Sequence, residues 1–227
     1  MVMSMCGRFA ITESWTEILK YYGIVESNYA FPSKYNIAPS TLIPGIITGT
    51  KGERRVGPFR WGLEPRAWNS AGPKPINARS EGLRQNRVFR NLVERRRALI
   101  PATGYFEWRK NDKQPFYIRV KSRPIFSFAG FYDTWVNDNG EKVNTCTIIT
   151  VAPGSNIRLK SIHNRMPAIL RGHQDERFWL DRSVTNIDDL LPIIEPFPED
   201  DMIWFPVSKI VGNVINDSPE CVQRIDR

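Results

Sequence analysis

Four short segments of this sequence carry side chains suited to covalent or proton-transfer chemistry. The first is Met5-Cys6-Gly7-Arg8-Phe9. If translation begins at Met5 and that methionine is removed, Cys6 becomes chain-terminal, with an amine of pKa about 8 and a thiol of pKa about 8.5 on adjacent carbons. Such an amine condenses with an aldehyde to an imine. The thiol can then close a five-membered thiazolidine on the same carbon, which is more stable than the imine alone. Gly7 admits close backbone approach, and Arg8 favours a thiolate or binds phosphate. The plain alternative is an incidental cysteine near a frayed end.

The second segment is Pro75-Ile76-Asn77-Ala78-Arg79-Ser80. The Asn77 amide can orient an oxygen or nitrogen, the Arg79 fork suits phosphate, and Ser80 would cap a following helix. An exposed Arg at a helix start accounts for it equally. In the third, Gly104-Tyr105-Phe106-Glu107-Trp108-Arg109, an acid stands between large aromatics. At the mouth of an apolar site desolvation raises such a carboxyl toward proton donation. Strand alternation offers the other reading, with Phe106 and Trp108 in the core and Glu107 in water. The fourth is Ser161-Ile162-His163-Asn164-Arg165-Met166-Pro167, a polar loop after an apolar strand, where a neutral imidazole can shuttle protons. A loop histidine bonded to backbone fits as well. His173 reads as surface, Cys146 as a core strand residue, and Cys221 has no assigned role.

Arg84, Arg87, Arg90, Arg95, Arg96 and Arg97 cluster on or after one helix, usually the sign of a solvated face. Trp61 and Trp68 interleave with Arg60 and Arg66, a mixture that suits single-stranded nucleic acid, where bases stack and guanidinium groups meet phosphates. Trp61 reads as core and Trp68 as the exposed stacking group.

The elements that must position these groups are short. Thr12–Gly23 reads as an amphipathic helix, with Thr12 as N-cap and Gly23 as its stop. Strands are expected at Leu42–Thr48, Arg55–Trp61, Pro115–Val120, Pro124–Phe131, Val143–Val151 and Ile203–Ser208. Ser80–Arg97 reads as a second helix, with Phe89, Leu92 and Val93 inward; Gln174–Leu180 and Asn186–Leu191 are shorter ones. Seventeen prolines favour short strands and turns. Strands and helices do not alternate regularly, which argues against a doubly wound parallel sheet and for an α+β domain of strongly bent, mainly antiparallel sheet.

Composition narrows the class. Apolar residues make up 41% and charged residues 25% of the 227, which excludes a disordered chain or a fibre. No apolar run reaches the length of a membrane span, and no secretory signal is visible. Three cysteines argue against a disulfide framework. Two histidines, no close pair and no Cys-x-x-Cys leave no zinc signature. No metal or cofactor is expected. A net charge of +8 leans toward a polyanionic partner.

Taken in order, the motifs resemble one family. They are Met5-Cys6-Gly7-Arg8-Phe9, Tyr35-Asn36-Ile37-Ala38-Pro39, Trp61-Gly62-Leu63, Ile76-Asn77-Ala78-Arg79, Phe106-Glu107-Trp108, His163-Asn164-Arg165-Met166-Pro167, and Val207-Ser208 with Gly212-Asn213-Val214. The chain is similar to the SRAP family, the SOS-response-associated peptidases, whose members process abasic sites. The resemblance implies a bent, bifurcated sheet forming a barrel-like body with peripheral helices. It implies covalent capture of abasic sites in single-stranded DNA, by a thiazolidine between the terminal cysteine and the ring-opened sugar. By motif, Cys6 is the nucleophile, Asn77 orients the sugar, Glu107 is the general acid/base and His163 transfers protons. Arg8, Arg79 and Arg165 would lie near phosphates and Trp68 against bases. The resemblance also implies AP-lyase-like activity, and the family name records a proposed peptidase activity that could act on the chain itself.

The expected organisation is one domain over 5–219, an extension 1–4 absent from the mature protein, and a tail over 220–227. The extension matters, because a peptide nitrogen at Cys6 cannot form a thiazolidine. The chain is expected to be a cytoplasmic monomer with no membrane partner. Two other readings stay open. A cysteine peptidase would use Cys6, His163 and Asn77. A non-catalytic single-strand binding module would need only the basic excess and the Trp68 region.

Overall fold

The computed structural model describes residues 6–65 and 74–226. The first half of the chain runs β1 (Phe9–Ile11), α1 (Trp15–Tyr22), β2 (Lys34–Ile37), β3 (Leu42–Thr48), β4 (Arg54–Trp61), β5 (Asn77–Arg79), α2 (Arg87–Arg95) and β6 (Arg97–Ala102). Then follow β7 (Gly104–Trp108), β8 (Pro115–Val120), β9 (Phe126–Val136), β10 (Lys142–Val151), α3 (Ile157–Ile162) and β11 (Met166–Pro167). The last elements are α4 (His173–Leu180), α5 (Ile187–Leu190) and β12 (Met202–Pro206). Among the described residues no helix is long and apolar enough to cross a membrane.

The architecture is α+β, with a closed five-stranded barrel, a second antiparallel sheet and few helices. The barrel order is β10-β4-β3-β6-β9, and β9 returns to β10 by an antiparallel ladder from Lys142↔Val136 to Ile148↔Gly130. One pairing is parallel, where Cys146 of β10 meets Trp61 of β4. Closure leaves no free barrel edge to pair with another chain. β5 and β11 extend β10 beyond the barrel, with Thr150 opposite both Arg79 and Pro167. The second sheet, β12-β8-β7-β1-β2, is antiparallel throughout.

Barrel interior and helices bury one aromatic core. Phe9 meets Trp61 and Phe128 edge-on at 5.2 and 5.7 Å between centroids. A smaller core of Ala10, Phe106, Tyr117, Val207, Val211 and Cys221 covers the other face of the second sheet. That sheet is therefore buried on both sides. Ladder contact in the barrel is close. A Cβ added at Gly130 of β9 would sit 2.7 Å from the Thr147 carbonyl oxygen and 3.2 Å from Ile100 Cγ1. Backbone cannot give way cheaply there, so Gly130→Ala is expected to lower unfolding stability by about 1–3 kcal/mol, read from the denaturant midpoint.

Several expectations are corrected. α1 is capped by Ser14, whose hydroxyl accepts from the Glu17 N–H, while Thr12 is drawn away by hydrogen bonds to Thr103. Gly23 does stop the helix, at φ 65° with its N–H on the Leu19 and Lys20 carbonyls. The single helix over Ser80–Arg97 is two pieces. A 3₁₀ turn spans Ser80–Gly82, and α2 starts anew from Asn86, whose side chain accepts from the Val88 and Phe89 N–H groups. Ser80 makes no cap. Arg97 is extended in β6 and buried, donating to the Val93, Trp179 and Asp181 carbonyls. Desolvation pushes its pKa down to about 10. The surface reading of His173 holds: it is half exposed, and its ring nitrogen lies 2.9 Å from the fully buried Glu176 carboxylate, which also accepts from Tyr21 and Ser127.

Candidate active site

Strand pairing brings the first two groups together. β1 runs antiparallel to β7 with Phe9 opposite Tyr105, and the Phe106 N–H donates to the Arg8 carbonyl at 2.9 Å. The residues just before β1 therefore run beside those just after Tyr105, which carries Cys6 toward Glu107. Alternation along β7 sends Phe106 and Trp108 into the smaller core, and Tyr105 into the main one. Glu107 shares the face of Tyr105 and is 2% exposed. The solvent-facing alternative for Glu107 fails because both faces of this sheet are covered.

His163 arrives from elsewhere in the chain. A helix, α3, intervenes between β10 and this residue, where the sequence suggested a loop following a strand directly. His163 is the C-cap of α3, its N–H bonded to the Leu159 carbonyl. Its Nδ1 lies 3.2 Å from the Arg165 backbone nitrogen and 3.5 Å from Glu107 Oε2. The Cys6 thiol, a Glu107 carboxylate oxygen and a His163 ring nitrogen all lie within 4.8 Å of one another, and all three residues are buried.

Burial dominates the electrostatics. Desolvation pushes the Glu107 carboxyl up to about 8, with the Cys6 hydrogen bond pulling partly back. Desolvation and then the Glu107 carboxylate push the Cys6 thiol well above its ordinary value, and Arg165 opposes them. At neutral pH the pocket holds a protonated acid beside a protonated thiol. Thiol, carboxylate and imidazole are also metal-donor types. Metal capture would require the thiol to lose its proton, which burial disfavours.

Asn77 and Arg79 on β5, and Arg165 just before β11, gather beside the last residues of β10. Asn77 is buried opposite Ile148, its amide nitrogen 3.5 Å from that carbonyl, and its Oδ1 has no hydrogen-bond partner among the described residues. Arg79 is exposed and stands opposite Thr150. Arg165 donates to both carboxylate oxygens of Glu81, at 2.6 and 3.0 Å, and to the Thr150 carbonyl at 2.5 Å. Arg8 sits apart from this group. It donates to Asn36 Oδ1 and the Val211 carbonyl and lies over the Trp108 ring at 5.7 Å. Trp68 lies outside the described residues. Cys146 and Cys221 are buried free thiols in the two cores.

Two residues were not anticipated. The Tyr105 hydroxyl is buried with no hydrogen-bond partner among the described residues; desolvation raises its pKa well above the ordinary value, and Cys6 and Glu107 add to the shift. The i, i+2 alternation with Glu107 was the available signal. Glu81 fixes Arg165 from 84 positions away, and local sequence held no sign of that.

Comparison with known proteins bears on the family and the fold. Residues 5–214 match the family model described as SOS response associated peptidase (SRAP). The chain is 38% identical to the abasic site processing protein YoqW of Bacillus subtilis, covering 96% of this chain and 99% of that one. It is 30% identical to the abasic site processing protein YedK of Escherichia coli, covering 97% and 100%. A crystal structure of a protein from Bacteroides thetaiotaomicron superposes with a TM-score of 0.85 at 28% identity, covering 97% of this chain and all of that one.

Proposed function

This chain belongs to the SOS response associated peptidase family, and from that premise we propose that it captures abasic sites in single-stranded DNA as a thiazolidine crosslink to Cys6. The observation that carries the reading is the buried cluster of thiol, acid and imidazole within 4.8 Å, where desolvation favours the protonated form of the acid.

An abasic site is a masked aldehyde. Glu107 donates a proton to the sugar ring oxygen as its bond to C1′ breaks, and His163 takes the proton of the C1′ hydroxyl. The neutral Cys6 amine then adds to C1′; His163 returns its proton to the new alkoxide, and a proton from the added nitrogen recharges Glu107. Glu107 protonates the departing hydroxyl as water leaves and takes back the iminium N–H proton, giving a neutral imine. The thiol adds to the imine carbon, its proton passes to nitrogen through His163, and the five-membered ring closes. One water is lost overall. Holding amine, thiol and acid together replaces collisions with an intramolecular reaction. Asn77, with an unused buried oxygen, orients the sugar hydroxyls, and Arg79 and Arg165 meet flanking phosphates. The chemistry requires a chain that begins at Cys6.

A general cysteine peptidase is less well supported, because burial pushes the Cys6 thiol away from the activated thiolate such an enzyme uses. Intact mass spectrometry tests the proposal. A chain starting at Cys6, mixed with a single-stranded oligonucleotide holding one abasic site, is expected to gain the oligonucleotide mass less one water. A chain keeping residues 1–5 is expected to gain nothing. Absence of adduct from the chain starting at Cys6 would overturn the reading.

A further inference from the structure

We propose that the chain carries a second phosphate-binding surface, a basic cleft between the β3–β4 hairpin and the C-terminal end of α4, which takes the phosphodiester backbone of the DNA strand away from the lesion. The proposal rests on single-stranded DNA as substrate, and the test below separates the two.

The cleft has a volume of about 460 Å³, and Arg54, Arg177 and Arg182 line it, with the Thr48 and Thr50 hydroxyls on its walls. Among the described residues no carboxylate lies within ion-pair distance of these three arginines. Arg54 donates to the Tyr22 carbonyl at 3.1 Å and Arg182 to the Gly49 carbonyl at 3.5 Å. Those contacts hold the guanidinium groups without cancelling their charge. Asp181 is the one acid in the lining, and its Oδ1 accepts from the Ser183 N–H and hydroxyl.

A helix C-terminus ordinarily repels anions, because its last carbonyls point outward. Here those carbonyls are occupied. The Leu180 carbonyl accepts from Thr48 at 2.7 Å, and those of Trp179 and Asp181 accept from the buried Arg97. A smaller adjoining cleft shares Thr48, Leu180 and Arg182 and adds Arg95, so the basic track continues toward the end of α2. Part of the arginine cluster evident in the sequence thus has a place in the fold.

The cleft lies at the far end of β4 from the cysteine. Trp61, the last residue of β4, packs on Phe9 near Cys6, and Arg54 is the first. Seven residues at ~3.3 Å each put ~23 Å between these ends. At 3.4 Å per stacked nucleotide a strand covers that distance in roughly seven nucleotides. A trinucleotide centred on the lesion cannot reach the cleft, whereas a strand of twenty-one can.

The test uses the chain starting at Cys6, the double variant Arg177→Gln/Arg182→Gln, and Arg177→Lys/Arg182→Lys as the charge-conserving control. Adduct formation is followed with a trinucleotide and a twenty-one-nucleotide strand, each with a central abasic site. Binding of the undamaged long strand is followed over a salt series in a Cys6→Ala background. The Gln pair is expected to leave the trinucleotide rate unchanged. It should weaken long-strand binding by about tenfold at moderate salt and lower the salt slope by about 1.4, two contacts at about 0.7 each. The Lys pair should retain most of both. An unchanged long-strand affinity and slope, or equal losses with both oligonucleotides, would overturn the cleft. Absence of adduct with either oligonucleotide, while undamaged-strand binding still falls in the Gln pair, would leave the cleft standing and overturn the crosslink.

Discussion

Cys6→Ala, in a chain starting at that residue, is expected to abolish the stable adduct with abasic DNA and leave the fold intact. The alanine amine can still form an imine, but nothing closes the ring. The lost intramolecular thiol represents an effective concentration on the order of 10⁵ M or more, which no external thiol replaces. The remaining imine hydrolyses and is expected to survive denaturing electrophoresis only after borohydride reduction. Cys6→Ser should behave similarly, since an oxygen ring is a weaker trap. Loss of one buried sulfur costs about 1 kcal/mol of stability, so the circular dichroism spectrum and a modestly lowered Tm serve as controls. A stable adduct with Cys6→Ala that needs no reduction would rule out the thiazolidine.

Glu107→Gln is expected to slow adduct formation about 10²- to 10⁴-fold at neutral pH, the usual worth of a general acid. It should also stabilise the protein. The wild-type carboxyl titrates at about 8 when folded, because burial disfavours its charge, against about 4.3 in an unfolded chain. Below the unfolded value both states are protonated and there is no difference. As pH rises to about 8 the unfolded state ionises and the folded state does not, so stability falls; above 8 the loss levels off. Glutamine has no proton to lose. The variant's advantage in unfolding free energy should therefore grow between pH 5 and pH 8 to roughly 2–4 kcal/mol. The rate profile has a matching signature. Wild type should fall at acid pH as the amine protonates and at alkaline pH as Glu107 ionises, and the variant should lose the alkaline limb. A variant that keeps both the rate and the alkaline limb would remove Glu107 from the acid role.

These two expectations combine chemistry that was legible in the chain with an environment that was not. Strands β3 and β8 lie at their expected bounds, and β4 and β10 each begin one residue earlier, because branched and aromatic residues between turn signals leave little choice. α1 misplaced its cap because Thr12 had a distant competitor, Thr103. The arginine-rich segment after Ser80 reads as continuous helix, yet an Asn86 cap divides it and barrel closure pulls Arg97 into a strand. The three-residue strands β1 and β5, which hold the site's backbone, are too short to show a period.

Residue types and order along the chain established the family resemblance, the barrel-like α+β class and the chemical repertoire of thiol, acid, imidazole and guanidinium. Tertiary structure decided how those groups stand. Alternation leaves two answers for Glu107, water or a second buried layer, and only the packing of the second sheet between two cores selects burial and lifts its carboxyl to about 8. Likewise two arginines of one family motif set part company. Arg165 stays at the end of β10 beside Thr150, and Arg8 is drawn into a clamp on Asn36 and Trp108. Local sequence specifies which groups a strand offers. Their protonation and reach depend on desolvation and on partners up to 203 positions away, and those exist only once the chain has folded.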